Sequence, residues 1–302
     1  NTGGNSVIDG SIAGSGNITR SNGNTLVLQN TGASYSGRII NNAGTLRIES
    51  PSATGTYAGA DAITMAAGTT LQGGTITAQA SATVGTSTTG IVQGGAITYD
   101  AGTGNTLTIA GPVSGTGNIA KSNNTGIVVF NGNVSTDGSM TGDGGGFTIG
   151  SGLTLTNATN GVLRAQNGNT LTFGAAANVN VRRLQLGTGT INITPGATVT
   201  SGGLITSDGS GNVSTVNQTG GTFNMTGTDN SNGTGASFLM GHWGNSSAST
   251  YNLSGGVLNA AGAELSLGWD SANVNFNQSG GTANFLGIDL NDGRGNAAAY
   301  TP

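Results

Sequence analysis

The sequence predicts an all-β chain wound as a β-solenoid, and three observations predict it. Short apolar triplets recur along the whole chain, glycine and asparagine separate them, and longer segments repeat internally. The 302 residues include 58 glycines, one histidine and no cysteine. Only 7% of them are charged, 8 Lys and Arg against 12 Asp and Glu, whereas an ordinary soluble domain has about 25%.

Each triplet places two apolar residues on one side of an extended segment and the residue between them on the other. The triplets are Leu26–Leu28, Leu46–Ile48, Leu107–Ile109, Phe147–Ile149, Leu153–Leu155, Leu171–Phe173, Val179–Val181, Leu184–Leu186, Ile191–Ile193, Phe223–Met225, Leu265–Leu267, Val274–Phe276 and Ile288–Leu290. This alternation predicts very short strands with one buried face. Strands of an ordinary sandwich usually have about 5–6 residues. Shorter ones suit a solenoid, in which each turn pairs with the turn below.

Glycine and asparagine between the triplets predict tight corners, because they adopt positive φ most readily. No segment combines helical spacing of apolar residues with good helix formers. The chain is therefore predicted to be β throughout.

A long internal repeat supports the prediction of a solenoid. The segment Gly10–Asn22 recurs as Gly111–Asn123, an offset of 101 residues (111 minus 10), with Lys121 in place of Arg20. Self-similarity of this kind is the sequence signature of repeat architectures.

A second repeat, Asn-x-Ser/Thr-Gly-Gly, starts at Asn217, Asn252 and Asn277, at spacings of 35 and 25 residues (252 minus 217, 277 minus 252). A unit near 25 residues with one insertion explains these spacings, and the polar, Gly-rich residues 227–237 are where we expect the insertion. We expect residues 1–302 to form one continuous solenoid, with residues 151–302 carrying the Asn-x-Ser/Thr-Gly-Gly turns.

Two stretches resemble repeats of exported bacterial proteins. Residues Asn24–Gly37 and Ile40–Leu46 resemble the autotransporter-associated β-strand repeat, with Asn-Thr-Gly-Ala where Ser-Gly is usual. Tyr251–Asn259 and Phe276–Asn284 resemble repeats in large exported proteins of environmental bacteria. The resemblance implies a single right-handed parallel β-helix, with residues 1–150 as autotransporter-repeat-like coils. It also implies a secreted, extracellular or cell-surface location in a bacterium.

Composition excludes several classes of function. The formal net charge is −4 and basic residues are scattered, so we expect no nucleic-acid partner, which would need clustered Lys and Arg. No apolar run approaches the ~20 residues of a transmembrane segment. The chain opens at Asn1 rather than at Met, so we expect a removed targeting segment or a longer parent protein.

The sequence does not favour an enzyme. Polysaccharide-cleaving enzymes need clustered carboxylates, and the closest pairs here, Asp137 with Asp143 and Asp289 with Asp292, are far from such a cluster. With His242 as the lone imidazole, no Ser-His-Asp relay is indicated. We therefore predict no catalytic, cofactor-binding or metal-binding residues, and a polysaccharide lyase or hydrolase is the least favoured function. A calcium ion bound at residues 289–293 remains an open alternative, although these residues lack the ligand spacing of known calcium loops.

Aromatic residues provide one binding hypothesis. Trp243 and Trp269 are 26 residues apart (269 minus 243), close to the repeat unit, and with Tyr251 they are candidates for a platform that stacks on sugar rings. The competing interpretation is a structural aromatic ladder. An adhesin-type module that binds surface glycans is thus the alternative function.

The leading hypothesis is structural. A solenoid exposes unpaired strand edges unless its ends are capped, and neither end of this sequence resembles a charged lid or amphipathic helix. The sequence therefore predicts a subunit or segment of an extracellular filament, stalk or sheath. Its expected partner is itself, in a head-to-tail homopolymer.

Overall fold

The chain forms an all-β solenoid of about ten turns, built from stacked parallel strands. The computed structural model describes residues 4–29, 35–49, 62–73, 81–88, 90–229, 238–242, 246–268, 273–290 and 297–301. These residues contain no helix, and every pairing recorded between their strands is parallel. The predicted fold class, a parallel solenoid with short strands, is confirmed.

Two compact units divide the chain. Unit 1 comprises residues 1–140 and 144–148, and unit 2 comprises residues 141–143 and 149–302. Strands β16 (Met140–Asp143) and β17 (Gly146–Ile149) include residues of both. Each unit is described by itself below.

The described residues of unit 1 form fifteen strands of three to five residues. They are β1 Ser6–Ile8, β2 Ile18–Arg20, β3 Thr25–Leu28, β4 Ile39–Asn41, β5 Thr45–Ile48, β6 Ile63–Met65, β7 Thr69–Gly73, β8 Ala82–Val84, β9 Ile91–Gly94, β10 Ile97–Asp100, β11 Thr106–Ile109, β12 Val113–Thr116, β13 Ile119–Lys121, β14 Ile127–Phe130 and β15 Val134–Thr136. Ladder 1 pairs β1, β3, β5, β7, β10 and β13 in that order. Ladder 2 pairs β2, β4, β6, β9, β12 and β15. Ladder 3 pairs β8, β11 and β14.

Unit 2 has longer strands. They are β18 Thr154–Gln166, β19 Asn169–Phe173, β20 Asn178–Leu186, β21 Gly189–Ile193, β22 Thr198–Thr206, β23 Val213–Gln218, β24 Thr222–Met225, β25 Phe238–Met240, β26 Ala248–Leu253, β27 Val257–Leu267, β28 Asn273–Gln278, β29 Thr282–Leu290 and β30 Ala297–Thr301. The Thr/Asn ladder pairs β19, β21, β23, β26, β28 and β30. In the long-strand ladder, β18 pairs with β20 and β20 pairs with β22. The next level consists of β24 and β25, which follow one another and pair with successive parts of β22 and of β27. Strand β27 then pairs with β29.

The strands of the long-strand ladder exceed the predicted length, since β18 has 13 residues and β27 has 11. Strand β18 overlaps the triplet Leu153–Leu155, and β27 contains the triplet Leu265–Leu267, so the triplets mark one part of each strand. Register shifts between Asn157 and Val162 and between Ala260 and Glu264 mark an irregularity within each strand. Triplet spacing does not reveal that the strand continues through it.

The interior consists of columns of apolar side chains, one residue from each turn. Leu184, Leu204, Phe238 and Leu265 occupy one such column of unit 2 and are fully buried. Burial of like residues in register supplies the main favourable energy, about 1.5–3 kcal/mol for each large aliphatic side chain.

The paired glycines of the Asn-x-Ser/Thr-Gly-Gly repeat form corners. The second glycine of each copy has positive φ: 67° at Gly221, 80° at Gly256 and 69° at Gly281. A Cβ on Gly256 would lie 2.2 Å from the carbonyl oxygen of Gly221, the matching glycine one turn away. Conformation and close backbone approach therefore both require glycine there. The insertion predicted at 227–237 lies outside the described residues from 230 onward.

The 101-residue repeat occupies two different ladders of unit 1. Ile18–Arg20 is β2 of ladder 2, whereas Ile119–Lys121 is β13 of ladder 1. In both copies the basic side chain is buried: Arg20 donates to the carbonyl of Ala43 (3.2 Å), and Lys121 donates to the carbonyls of Ser122 and Asn124 (2.8 Å each). The shared motif therefore codes for a strand and a corner, not for one particular side of the solenoid.

Candidate functional site

The predicted aromatic platform is not assembled by the described residues. Trp243 and Trp269 lie outside them. Tyr251 lies in β26, and its ring is fully buried. It stacks on Phe276 with ring centroids 5.1 Å apart and an interplanar angle of 21°.

The hydroxyl of Tyr251 donates a 2.6 Å hydrogen bond to Oε1 of Gln218, and burial raises the pKa of Tyr251 well above its usual range. A buried ring offers no face to a sugar, so the prediction of a glycan-stacking role is wrong for Tyr251. The repeats contain the signal that reveals this. Val216, Tyr251 and Phe276 each precede the asparagine of one Asn-x-Ser/Thr-Gly-Gly copy, and their register places them in one inward column.

A chain of half-buried and buried polar side chains links successive turns of unit 2 and ends at the lone histidine. Arg164 donates to Oε1 of Gln185 (2.8 Å), and Gln185 donates to Oδ2 of Asp208. Oδ1 of Asp208 lies 3.2 Å from Nδ1 of the buried His242. Burial raises the pKa of Asp208, but hydrogen bonds from His242 and Gln185 and the charges of His242 and Arg164 outweigh it, so that the net shift is downward.

Unit 1 contains a matching chain. Arg47 donates to Oε1 of Gln72 from Nε and Nη2 (3.1 and 2.9 Å), Gln72 donates to Asp100 (2.9 Å), and Asn124 also donates to Asp100 (2.9 Å). Asparagine here takes the place that histidine takes in unit 2. An imidazole is thus not needed for the arrangement, and both chains serve to tie successive turns together.

Hydroxyl groups near His242 form their own buried network. Thr206 Oγ1 and Ser249 Oγ are 2.5 Å apart, and Ser207 Oγ lies 2.7 Å from Ser214 Oγ. Ser207 also donates to the carbonyl of Ala248 (2.5 Å). Because these hydroxyls are fully buried, they stabilise the interior and do not present a nucleophile to solvent.

Arg183 and Asp229 form a buried ion pair. Nε of Arg183 lies 2.5 Å from Oδ2 of Asp229 and Nη2 lies 3.0 Å from Oδ1, while the side chains are 10% and 4% exposed. Two parallel bonds are the favourable geometry for arginine and carboxylate. Asp229 lies within the segment expected to be an insertion, and nothing in the sequence pairs it with a residue 46 positions earlier.

A groove of about 260 Å³ opens in unit 1. It is lined by Glu49, Ser81, Ala82, Thr83, Thr106 and Thr108. Among these described lining residues Glu49 is the sole carboxylate, whereas glycoside hydrolysis uses a pair. Throughout the described parts of the chain, no group of three or more His, Asp and Glu side chains comes close enough to hold a metal ion. The same residues include no helix long and apolar enough to cross a membrane.

The most unusual surface is the last strand of the long-strand ladder. Within the described residues β29 pairs on one side only, with β27. Ile288 is 42% exposed and Leu290 is 51% exposed, although they continue the columns of Leu265 and Leu267, which are fully buried. Leu286 in the same strand is 70% exposed. We call Leu286, Ile288 and Leu290, with the free edge of β29, the apolar edge.

A second free edge lies in unit 1. Strand β1 pairs only with β3 among the described residues, and Val7 is 38% exposed although its register partner Val27 is fully buried. Val7 lies on the outward side of β1, in the row of Val27 and Arg47, whereas Ile8 continues the buried column of Leu28 and Ile48 and is half-buried. Among the described residues, both edges leave one side of a strand unpaired.

In comparisons with known proteins, no family model, curated protein or solved structure matches the chain. The resemblance to autotransporter-associated repeats stays a prediction, as does the glycan-binding role of Trp243 and Trp269.

Proposed function

We propose that the chain is a structural protein that assembles end to end into an extracellular filament, stalk or sheath at a bacterial surface. One observation carries the proposal: Ile288 and Leu290 belong by register to buried columns but are 42% and 51% exposed. Apolar side chains of a β column are normally covered by the next strand, and an exposed apolar edge strand is a template for further pairing.

The partner that fits the apolar edge is β1 of a second copy. Strand β1 carries Val7 and Ile8 and, among the described residues, is also unpaired on one side, so that it offers backbone donors, acceptors and apolar side chains to match. Pairing one end with the opposite end is a heterologous contact, which repeats without closing and produces a fibre.

Other properties support a passive role outside the cell. Charge is low, cysteine is absent and the repeats resemble those of exported bacterial proteins. The polar chains and the buried hydroxyl network are used in holding turns together. We therefore assign the chain no catalytic step.

Sedimentation velocity over a range of concentrations, with negative-stain microscopy of the same samples, tests the proposal. The 302-residue chain is expected to form particles that lengthen with concentration. Ile288→Lys should abolish growth, because a lysine at this partly exposed position places a charge in the contact, and circular dichroism checks that the variant is folded. Val213→Lys is the matched control. Val213 is 56% exposed and lies in β23 of the Thr/Asn ladder, not in β29, so that its replacement should leave growth unchanged.

Two results would contradict end-to-end assembly. One is a wild-type protein that stays monomeric at the highest concentration reached. The other is equal growth of wild type and Ile288→Lys, which would move the contact away from the apolar edge.

A further inference from the structure

The outward side of the Thr/Asn ladder carries a periodic array. Each of five successive strands presents two outward residues, two positions apart, which alternate with buried ones. One row is Thr170, Thr190, Thr215, Thr250 and Asn275, and the other is Thr172, Asn192, Asn217, Asn252 and Asn277. All ten are half-buried or exposed. We call these ten residues the Thr/Asn face.

The spacing of this face is set by the backbone. Strands of a sheet repeat at about 4.7–4.9 Å, and residues two apart on a strand repeat at about 6.6 Å. The pairings of this ladder carry no register shift, whereas those of the long-strand ladder shift at β18–β20 and at β27–β29. The Thr/Asn face is accordingly the regular face of unit 2.

Hydrogen bonds along the asparagine row hold the side chains in place. Asn217 donates to Asn192 (3.1 Å), Asn252 donates to Asn217 (3.0 Å) and Asn277 donates to Asn252 (3.0 Å). Each amide still has a second N–H and a second lone pair. Because the amides are already ordered, binding through them costs little side-chain entropy.

The threonine row is ordered in another way. Threonine has few χ1 rotamers, because it branches at Cβ. Among the described residues, the hydroxyls of Thr190, Thr215 and Thr250 have no hydrogen-bond partner, so they can bond to something outside the protein.

Charge is absent from this side. The strands β19, β21, β23, β26 and β28 contain no Asp, Glu, Lys or Arg. The charged residues of the long-strand ladder, such as Arg164, Arg183 and Glu264, occupy a different side of unit 2. The aromatic rings of these five strands, Phe173, Tyr251 and Phe276, are buried.

These properties distinguish between periodic ligands. Sugar surfaces are usually recognised through exposed aromatic rings, and the ten residues of this face include none. A lattice of water offers only donors and acceptors, carries no charge, and repeats at spacings close to those of the two rows. We propose that the Thr/Asn face binds ice. Binding needs one copy only and is independent of end-to-end assembly.

Inhibition of ice recrystallisation by the purified chain tests the proposal, together with partition of the protein into a slowly grown ice hemisphere. Wild type is expected to inhibit crystal growth and to enter the ice. Thr215→Lys, at the centre of the face, should lose both properties. Thr200→Lys is the matched control: Thr200 is a half-buried outward threonine of β22 in the long-strand ladder, and its replacement should preserve both. Circular dichroism checks that all three proteins are folded.

Each other outcome overturns the proposal. Wild type that behaves like albumin at equal mass concentration shows that the face does not bind ice. Equal activity of wild type and Thr215→Lys, or loss in Thr200→Lys as well, shows that the face is not responsible. Binding to insoluble cellulose or chitin without any effect on ice identifies a polysaccharide as the ligand instead.

Discussion

At the scale of single residues, the charged groups of unit 2 are used as ties between turns. Arg183 reaches Asp229 across 46 positions of sequence, and Asp229 is held over β22 by a backbone hydrogen bond to the carbonyl of Gly202 (3.2 Å). The ion pair thus fastens the residues after β24 onto the long-strand ladder.

Replacing one member of this pair is expected to destabilise the protein strongly. Arg183→Met leaves the Asp229 carboxylate buried without its partner, and such losses cost about 3–5 kcal/mol in the free energy of unfolding. The double variant Arg183→Met/Asp229→Leu removes both charges and should recover most of the loss, since apolar replacements of buried pairs are often neutral. Urea denaturation followed by circular dichroism measures both.

Glu264→Gln, at an exposed position of β27, serves as the control and should change stability little. A double variant as unstable as Arg183→Met would show that packing, not the uncompensated charge, causes the effect.

Sequence reasoning placed residues on faces better than it assigned roles. Tyr251 was grouped with the tryptophans by residue type, although its register with Val216 and Phe276 marks it as an interior residue. The partner of Arg183 could not be predicted, because Asp229 lies within the segment expected to be an insertion, whose path the repeat spacing does not define. The exposure of Ile288 and Leu290 was equally hidden, since the triplet pattern is the same whether or not a strand covers it.

At the scale of elements, corners determine where strands begin and end. Gly211 and Gly256 both have positive φ, 72° and 80°, but their surroundings differ. A Cβ on Gly211 would meet no atom within 4 Å, whereas one on Gly256 would meet the Gly221 carbonyl oxygen at 2.2 Å.

Alanine at these two positions should therefore separate conformational strain from steric overlap. Gly211→Ala is expected to cost about 1–2 kcal/mol, the usual penalty for an L-residue in the left-handed region. Gly256→Ala should cost clearly more, because the chain must also move away from the neighbouring turn. Thermal unfolding of the two variants beside wild type gives the difference, and equal losses would argue that the close approach is not a constraint.

The strands themselves were largely predictable. Leu107–Ile109 and Val274–Phe276 fall within β11 and β28, and their apolar members are buried as expected. The length of β27 was not predictable, because this strand continues through a register shift after Ala260 that the sequence does not signal.

At the scale of the whole molecule, the free edges are where assembly should be detectable. Among the described residues of a single chain, the amides of β29 that point away from β27 have no strand to bond to, and they should exchange with solvent quickly. When β1 of a second copy pairs there, these amides should become protected.

Hydrogen exchange followed by mass spectrometry compares dilute and concentrated protein. Peptides covering β29 should gain protection with concentration, while peptides covering β22, which is paired on both sides, should not change. Growth of particles without protection of β29 would place the contact between copies elsewhere.

The two copies of the 101-residue repeat lie on different ladders, and this indicates how such a chain can lengthen during evolution. Because a Gly10–Asn22 type segment serves equally as part of ladder 2 or ladder 1, a duplicated piece of gene need not encode a complete turn to be accommodated. Copies inserted out of phase can still fold, provided that a corner follows each strand. A protein of this design can therefore change length by small, irregular increments, and its descendants should differ more in extent than in architecture.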